Sequence, residues 1–175
     1  DGIEIGNQTF TTLYVNNNGN ITFGGGLSTY TPGVIGGTTG LNIIAPFWAD
    51  VDTRVDVPAV TDGVFWDFKE SRDSIVVTWN QTGYFSGHID RLDTFQLELM
   101  DRGAGNVEII FRYKSINWTT GDASGGSGGL GGTIARGGFS LGGLYFELPA
   151  SGNQTNMLNL EANAGNLGVT GVWQF

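Results

Sequence analysis

"DTFQLELMD", residues 93–101, alternates without a slip: Phe95, Leu97 and Leu99 fall on one side, Thr94, Gln96 and Glu98 on the other. A period of two puts successive side chains on opposite faces of an extended strand, and here one face is apolar. "NVEIIFRYK" (106–114) repeats the pattern with Val107, Ile109, Phe111 and Tyr113. Only "RGAG" separates the two runs, a glycine-bearing link short enough for an antiparallel hairpin. Working outward, "GVFWDF" (63–68) and "SIVVTW" (74–79), joined by the charged "KESRD", read as a second hairpin. "FTTLYV" (10–15) and "NITF" (20–23) flank "NNNGN", where Asn18-Gly19 suits a type I′ turn. "GLYFELP" (143–149) and "GVWQF" (171–175) add further strands. No window of eleven or more residues carries a helical apolar stripe, and "NMLNLEANAG" (156–165) holds one short turn at most. The expectation is an all-β, single-domain antiparallel β-sandwich over residues 1–175 with long glycine-rich loops. An open barrel is the alternative, and helix should stay under about a tenth of the chain.

Composition narrows the function. Charged residues make up only 14% of the 175, so the polar surface must come from Asn, Thr, Ser and Gln. The net charge is −9 and the only lysines are Lys69 and Lys114. Such a surface repels a phosphate backbone, which argues against nucleic-acid binding. There is no cysteine, which excludes disulfides, thiolate metal sites and cysteine catalysis. No apolar run is long enough to cross a membrane as a helix. The chain opens Asp1-Gly2, as expected of a domain excised from a larger surface protein.

Two catalytic patterns occur and both fail on context. Gly126 to Gly131 matches G-x-G-x-x-G, but the glycines and serines around it oppose the helix that a dinucleotide site needs. "GDASGGSGGLGG" (121–132) reads instead as a flexible surface loop. Gly138-Phe139-Ser140-Leu141-Gly142 matches the nucleophile elbow, yet "GGLYFEL" continues it as strand rather than helix. The one histidine, His88, precedes Ser140, and it reads as an exposed loop residue.

"LNIIAPFWADVDTR" (41–54) holds the strongest candidate chemistry. Asp50 and Asp52 are two apart, so on a strand they share a face and are candidate ligands for a hard cation such as calcium. Asp56, Asp62, Asp67, Asp90 and Asp93 are further carboxylates within reach of that role. Against this stands a structural corner, with Asp50 capping backbone amides and Arg54 as an ion partner. Pro46 should lie at a sheet edge or where pairing ends. A glycosidase pair of carboxylates is the remotest reading. Five N-x-[ST] sequons occur, at Asn7, Asn20, Asn80, Asn117 and Asn153, and they matter only in a source that glycosylates secreted proteins.

"APFWADVD" (45–52) resembles the signature of the nidogen-like extracellular (NIDO) domain found in nidogens, alpha-tectorin, mucin-4 and large bacterial surface adhesins. "NITFGG" (20–25), "IVVTW" (75–79), "DTFQLEL" (93–99), "NWTTGDASGG" (117–126), "GGF" (137–139) and "GVWQF" (171–175) follow in that family's order, so the likeness covers the whole chain. "VFWDFKES" (64–71) departs from the animal pattern, and the acidic, Asn- and Thr-rich surface looks like that of a bacterial secreted protein. The resemblance implies an extracellular or cell-surface, non-enzymatic interaction or structural module of a large adhesin or matrix protein. No cofactor would be required, calcium being the one candidate. Its partner would be an extracellular protein, a glycan, or neighbouring domains of the same chain. The alternative is a lectin-like module stacking aromatics on sugar rings, possibilities including Trp66, Trp79 and Trp118. Its best candidate loop is "NQTGYFSGHIDR" (80–91), with Tyr84, Phe85 and His88 exposed for the ligand. An exposed aromatic row would favour the lectin, and buried aromatics the scaffold.

Overall fold

The alternation is realised as two antiparallel sheets laid face to face in a computed structural model that describes every residue except 1, 37–39, 41, 55, 59 and 60. In chain order the strands are β1 (Ile3–Ile5), β2 (Gln8–Phe10), β3 (Leu13–Asn16), β4 (Asn20–Phe23), β5 (Asn42–Trp48), β6 (Val51–Asp52), β7 (Gly63–Lys69), β8 (Ser74–Tyr84), β9 (His88–Gly103), β10 (Asn106–Ser115), β11 (Arg136–Leu141), β12 (Leu144–Glu147) and β13 (Val172–Gln174). One sheet runs β3-β4-β5-β11-β12. The other runs β8-β9-β10-β13, with β7 and β6 sharing the outer edge of β8. β1 and β2 form a separate hairpin tied to the β9–β10 turn by the amide of Gly6, which donates to the Gly105 carbonyl at 2.9 Å. Helix is confined to short turns, about 7% of the chain; α1 (Gln154–Leu158) begins two residues before the stretch that the sequence marks for a turn.

The central hairpin pairs Leu97 with Phe111 and Leu99 with Ile109, so both apolar faces look inward. Phe95, Leu97, Leu99 and Phe111 are buried against Trp79, Val77 and Ile75 of β8. Full burial of side chains of this size contributes roughly 1.5–3 kcal/mol each. The opposite face of β9 is not simply solvated. Glu98 is buried there, with Arg112 Nη2 donating to it at 2.5 Å, Arg72 beside it at 3.1 Å and the Ser74 hydroxyl at 3.1 Å.

β5 is buried on both faces, which explains its unbroken apolar run. Ile44 and Phe47 enter the inter-sheet core, while Ile43, Ala45 and Trp48 form a second cluster with Ile35 on the other side. Of the two places expected for Pro46, the edge is not met, since β5 is a central strand, but pairing with β4 does end just before it, at Ile44. The proline is accommodated because the β5–β11 register slips between Arg136 and Gly138, a bulge at which no ladder donor is needed from it. Its carbonyl accepts from the Tyr113 hydroxyl at 2.8 Å.

Two loops also differ from expectation. Only Gly19 in "NNNGN" has a positive φ, 76°, so the β3–β4 link is a three-residue turn closed by a left-handed glycine rather than a two-residue type I′ turn. Gly19 is required there on a second count: a Cβ would lie 1.8 Å from the Phe47 carbonyl oxygen. The glycine-rich segment 121–132 is not a loose surface loop. Gly129 accepts from the amides of Thr119 (2.8 Å) and Thr120 (3.1 Å), and Thr133 donates to Ser124 at 2.9 Å, lacing the segment over Trp118. Ser140 lies inside β11 opposite Ile43 and Tyr145, in strand as its context required.

Candidate functional site

The signature stretch leaves β5 at Trp48 and turns through Ala49 and Asp50 into β6, which pairs Val51 with Tyr84 and Asp52 with Gly83. Three segments meet at this corner. The amide of Phe85 donates to the Asp50 carbonyl at 3.0 Å, and the amide of Asp122 donates to the Phe85 carbonyl at 2.7 Å. Asn17 in the β3–β4 turn joins from the other side, donating to the Val51 carbonyl at 2.6 Å and accepting from the Trp79 indole at 3.1 Å.

The two carboxylates fare differently. Asp52 Oδ1 accepts from the Arg54 amide at 3.1 Å and from Arg54 Nε at 2.8 Å. Its Oδ2 accepts from Arg54 Nη2 at 2.6 Å and from the Gly87 amide at 2.9 Å. The guanidinium holds this carboxyl below the usual aspartate range, against the opposing effect of burial. Asp50 shifts the other way. Burial pushes its pKa up, and only the backbone amides of Ala123 and Ser124 pull it down. Its Oδ2 is buried without a hydrogen-bond partner. Gly121 packs against it so closely that a Cβ would sit 2.6 Å from that oxygen. Among the described residues no group of three or more His, Asp or Glu side chains is placed to hold a metal ion.

The sequence-predicted loop 80–91 is mostly strand. β8 runs on to Tyr84 through register shifts opposite β9, and β9 starts at His88, leaving only residues 85–87 as the turn. Tyr84 is therefore not exposed, as expected of a loop, but 1% exposed. Its ring packs between His88 (centroids 4.5 Å apart, stacked) and Trp118 (5.7 Å), and its hydroxyl donates to Asp90 at 2.9 Å. Burial, reinforced by Asp90, pushes its pKa up to about 12. Phe85 is partly buried under the Arg54 guanidinium, 5.1 Å above its ring. His88, placed in β9 rather than a loop, keeps about two-fifths of its side chain exposed, and its Nε2 lies 2.9 Å from Asp122 Oδ2. Arg54, Phe85, His88 and Asp122 thus form one small polar-aromatic surface around the corner. Arg54 and Asp122 complete it; the sequence offers Arg54 as an ion partner, while Asp122 carries no signal beyond its place in the glycine-rich segment and the family pattern at 117–126.

A second buried carboxylate lies deeper. Asp93 in β9 is wholly buried, its Oδ1 accepting from the amides of Asn117 (2.6 Å) and Trp118 (3.2 Å) while Oδ2 has no partner. Burial raises its pKa well above the ordinary value, and the negative charge of Glu161 adds to the rise. Asp67 is paired with Lys69 on β7, and Asp90 is engaged by Tyr84. Asn20, one of the sequons, is itself fully buried, with its amide donating to the Asn18 carbonyl at 3.2 Å.

The sequence pattern of the nidogen-like domain matches residues 11–175. Human alpha-tectorin is 33% identical over 189 residues, covering 95% of this chain and 9% of its own. Nidogen of Drosophila melanogaster is 29% identical over 191 residues, covering 96% of this chain and 14% of its own. Dendrite extension defective protein 1 of Caenorhabditis elegans is 26% identical over 187 residues, 95% of this chain and 15% of its own. This chain therefore spans between 9% and 15% of the length of these relatives. No solved structure matches it. No helix among the described residues is long and apolar enough to cross a membrane. With the signature corner built as described and the family pattern running to the last residue, the chain belongs to the nidogen-like domain family, the extracellular module of matrix proteins of the nidogen and tectorin type.

Proposed function

We propose that this domain is a non-catalytic interaction module of a large adhesin- or matrix-type protein, acting through its surface on an extracellular protein or on neighbouring domains. The observation that carries this reading is where most of the aromatics offered for sugar stacking are used, Trp66 at 61% exposed being the exception. Trp48, Trp79, Trp118 and Tyr84 are all at most 1% exposed, spent on the core rather than arrayed for a ligand. The carboxylates support it as well, since Asp52 is engaged by Arg54 and Gly87. In this reading the domain needs no cofactor, and Asp50 and Asp52 hold the corner.

A second reading rests on Phe85, His88 and Arg54, which remain partly exposed side by side and offer a small sugar-binding face. The test is a glycan array probed with the domain, run beside assays of generic ester and glycoside hydrolysis. No sugar retained and no turnover are expected. Glycan binding abolished by Phe85→Ala would establish the lectin instead, and turnover abolished by Ser140→Ala would establish an enzyme.

A further inference from the structure

The two side seams of the sandwich are not alike. At one, Phe175 beyond β13 packs against Phe111 (5.7 Å between centroids), Phe139 (5.5 Å) and Phe146 (4.8 Å), and the sheets are sealed. At the other, where β3 and β7 are the edge strands, a cleft of about 630 Å³ stays open. Leu13, Val15 and Phe23 line it from one sheet, Ile75 and Leu99 from the other.

β7 forms its outer wall. Val64, Trp66 and Phe68 are registered against Trp79, Val77 and Ile75, so they point to the core side of the sheet. Yet Trp66 is 61% and Phe68 62% exposed, their rings edge to face at 5.6 Å. Ile3 and Phe10 of the β1–β2 hairpin and Leu13 and Val15 of β3 line the same cleft, yet they leave both rings exposed. Among the described residues β7 pairs with β8 alone, leaving its other edge unpaired. A seven-residue edge without proline, beside two uncovered inner-face aromatics, is a template for an added strand.

Charge chooses the occupant. The ionisable side chains lining the cleft are Asp73 and Asp101, and no basic residue lines it among those described. The cations next to the lining residues along the chain are paired elsewhere: Arg72 with Glu98, Arg102 with Glu108 and Lys69 with Asp67. A second copy of a domain with net charge −9 would bring like charges together across this seam. We infer that the cleft between β3 and β7 docks an extended peptide segment of a partner protein. That segment would place apolar side chains on Trp66 and Phe68 and Lys or Arg beside Asp73 and Asp101. The inference rests on the interaction-module reading and names its surface and the chemistry of its partner.

The experiment is affinity selection of displayed random peptides of about ten residues, long enough to lie along a seven-residue edge. Selection is run on the domain, with counter-selection on Trp66→Ser/Phe68→Ser. Enrichment of sequences alternating apolar residues with Lys or Arg is expected. A synthetic peptide of that consensus should lose roughly tenfold or more in affinity to Trp66→Ser, as for a central aromatic anchor. It should also weaken with salt and in Asp73→Asn/Asp101→Asn, while Leu144→Ser at the far edge changes nothing. An unchanged melting temperature shows that the variants are folded, since both rings are already exposed. No enrichment, an acidic consensus, or binding indifferent to Trp66→Ser overturns the inference. So does a concentration-dependent dimer, seen by sedimentation, that Trp66→Ser dissolves; it would assign the seam to a second copy. Failure here with no glycan bound leaves the module reading standing, whereas glycan capture at Phe85 removes that reading.

Discussion

Arg54 closes on Asp52 with three nitrogens, its amide, Nε and Nη2, at 3.1, 2.8 and 2.6 Å. Both carboxylate oxygens are occupied, and Gly87 donates a fourth bond. Calcium takes six to eight oxygen ligands, and here it would have to displace an arginine. Calcium should therefore leave the thermal melt where EDTA leaves it, with magnesium as the ionic-strength control. A bound ion at a hundredfold excess over its Kd would add about 2.7 kcal/mol, several degrees for a domain of this size. A calcium-specific rise of that order, lost in Asp52→Asn, would reverse the assignment.

Asp93 predicts a pH dependence of opposite sign to that of an ion-paired aspartate. Its folded pKa is raised above the ordinary 3.8, so the folded state holds a proton that the unfolded chain has released. Between those two values stability must fall as pH rises. Asp93→Asn keeps the oxygen that accepts from Asn117 and Trp118 and removes the titration. The wild-type stability minus that of Asp93→Asn, from urea titrations, should decline as pH is raised from 4 towards 7. A flat or rising difference would mean the carboxyl is ionised in the fold.

Trp48→Ala should cost roughly 3–5 kcal/mol, the range for a buried aromatic truncated to a methyl. Trp48 is 1% exposed, and its indole donates to the Thr29 carbonyl at 2.8 Å, pinning the segment that covers the outer face of β5. The urea midpoint should fall with the slope unchanged. An unchanged midpoint would show that this second cluster contributes nothing to stability.

Gly121→Ala tests the corner from its other side. The backbone there is extended, with φ −84° and ψ 167°, so the substitution carries no conformational strain. The cost arises from contact: the new Cβ would meet Asp50 Oδ2 at 2.6 Å and the Asp50 carbonyl at 2.7 Å. A loss of about 1–3 kcal/mol is expected, as for overpacking elsewhere. Asp50→Ala in the same background should recover part of it, because Oδ2 is gone while the Asp50 carbonyl oxygen and Cβ (2.8 Å) remain. Equal costs in both backgrounds would place the clash at the carbonyl and Cβ of residue 50 rather than at the carboxylate.

The sequence by itself determined the all-β class, the central hairpin and the family signature, but not every strand: the run 10–15 is divided between β2 and β3. Alternation in residues 93–114 is a local property, because a period of two has one structural meaning along an extended chain. The failure of the two catalytic patterns was equally local, since the residues beside Ser140 and Gly126 do not form the helix those motifs need. Tertiary structure alone decided what became of individual side chains. Tyr84 looked like a loop residue because nothing nearby reveals that β8 slips register and continues to it; Trp118, far along the chain, then covers its ring. Pro46 sits in a central strand because β11 supplies the bulge. Trp66, offered by the sequence as a sugar-stacking aromatic, and Phe68 point to the core side of β7 by register. Their exposure follows from the open cleft between β7 and the segments facing it, a long-range fact that no periodicity within residues 63–69 records. Periodicity tells a side chain which face it points to; only the packing of distant segments decides whether anything meets it there.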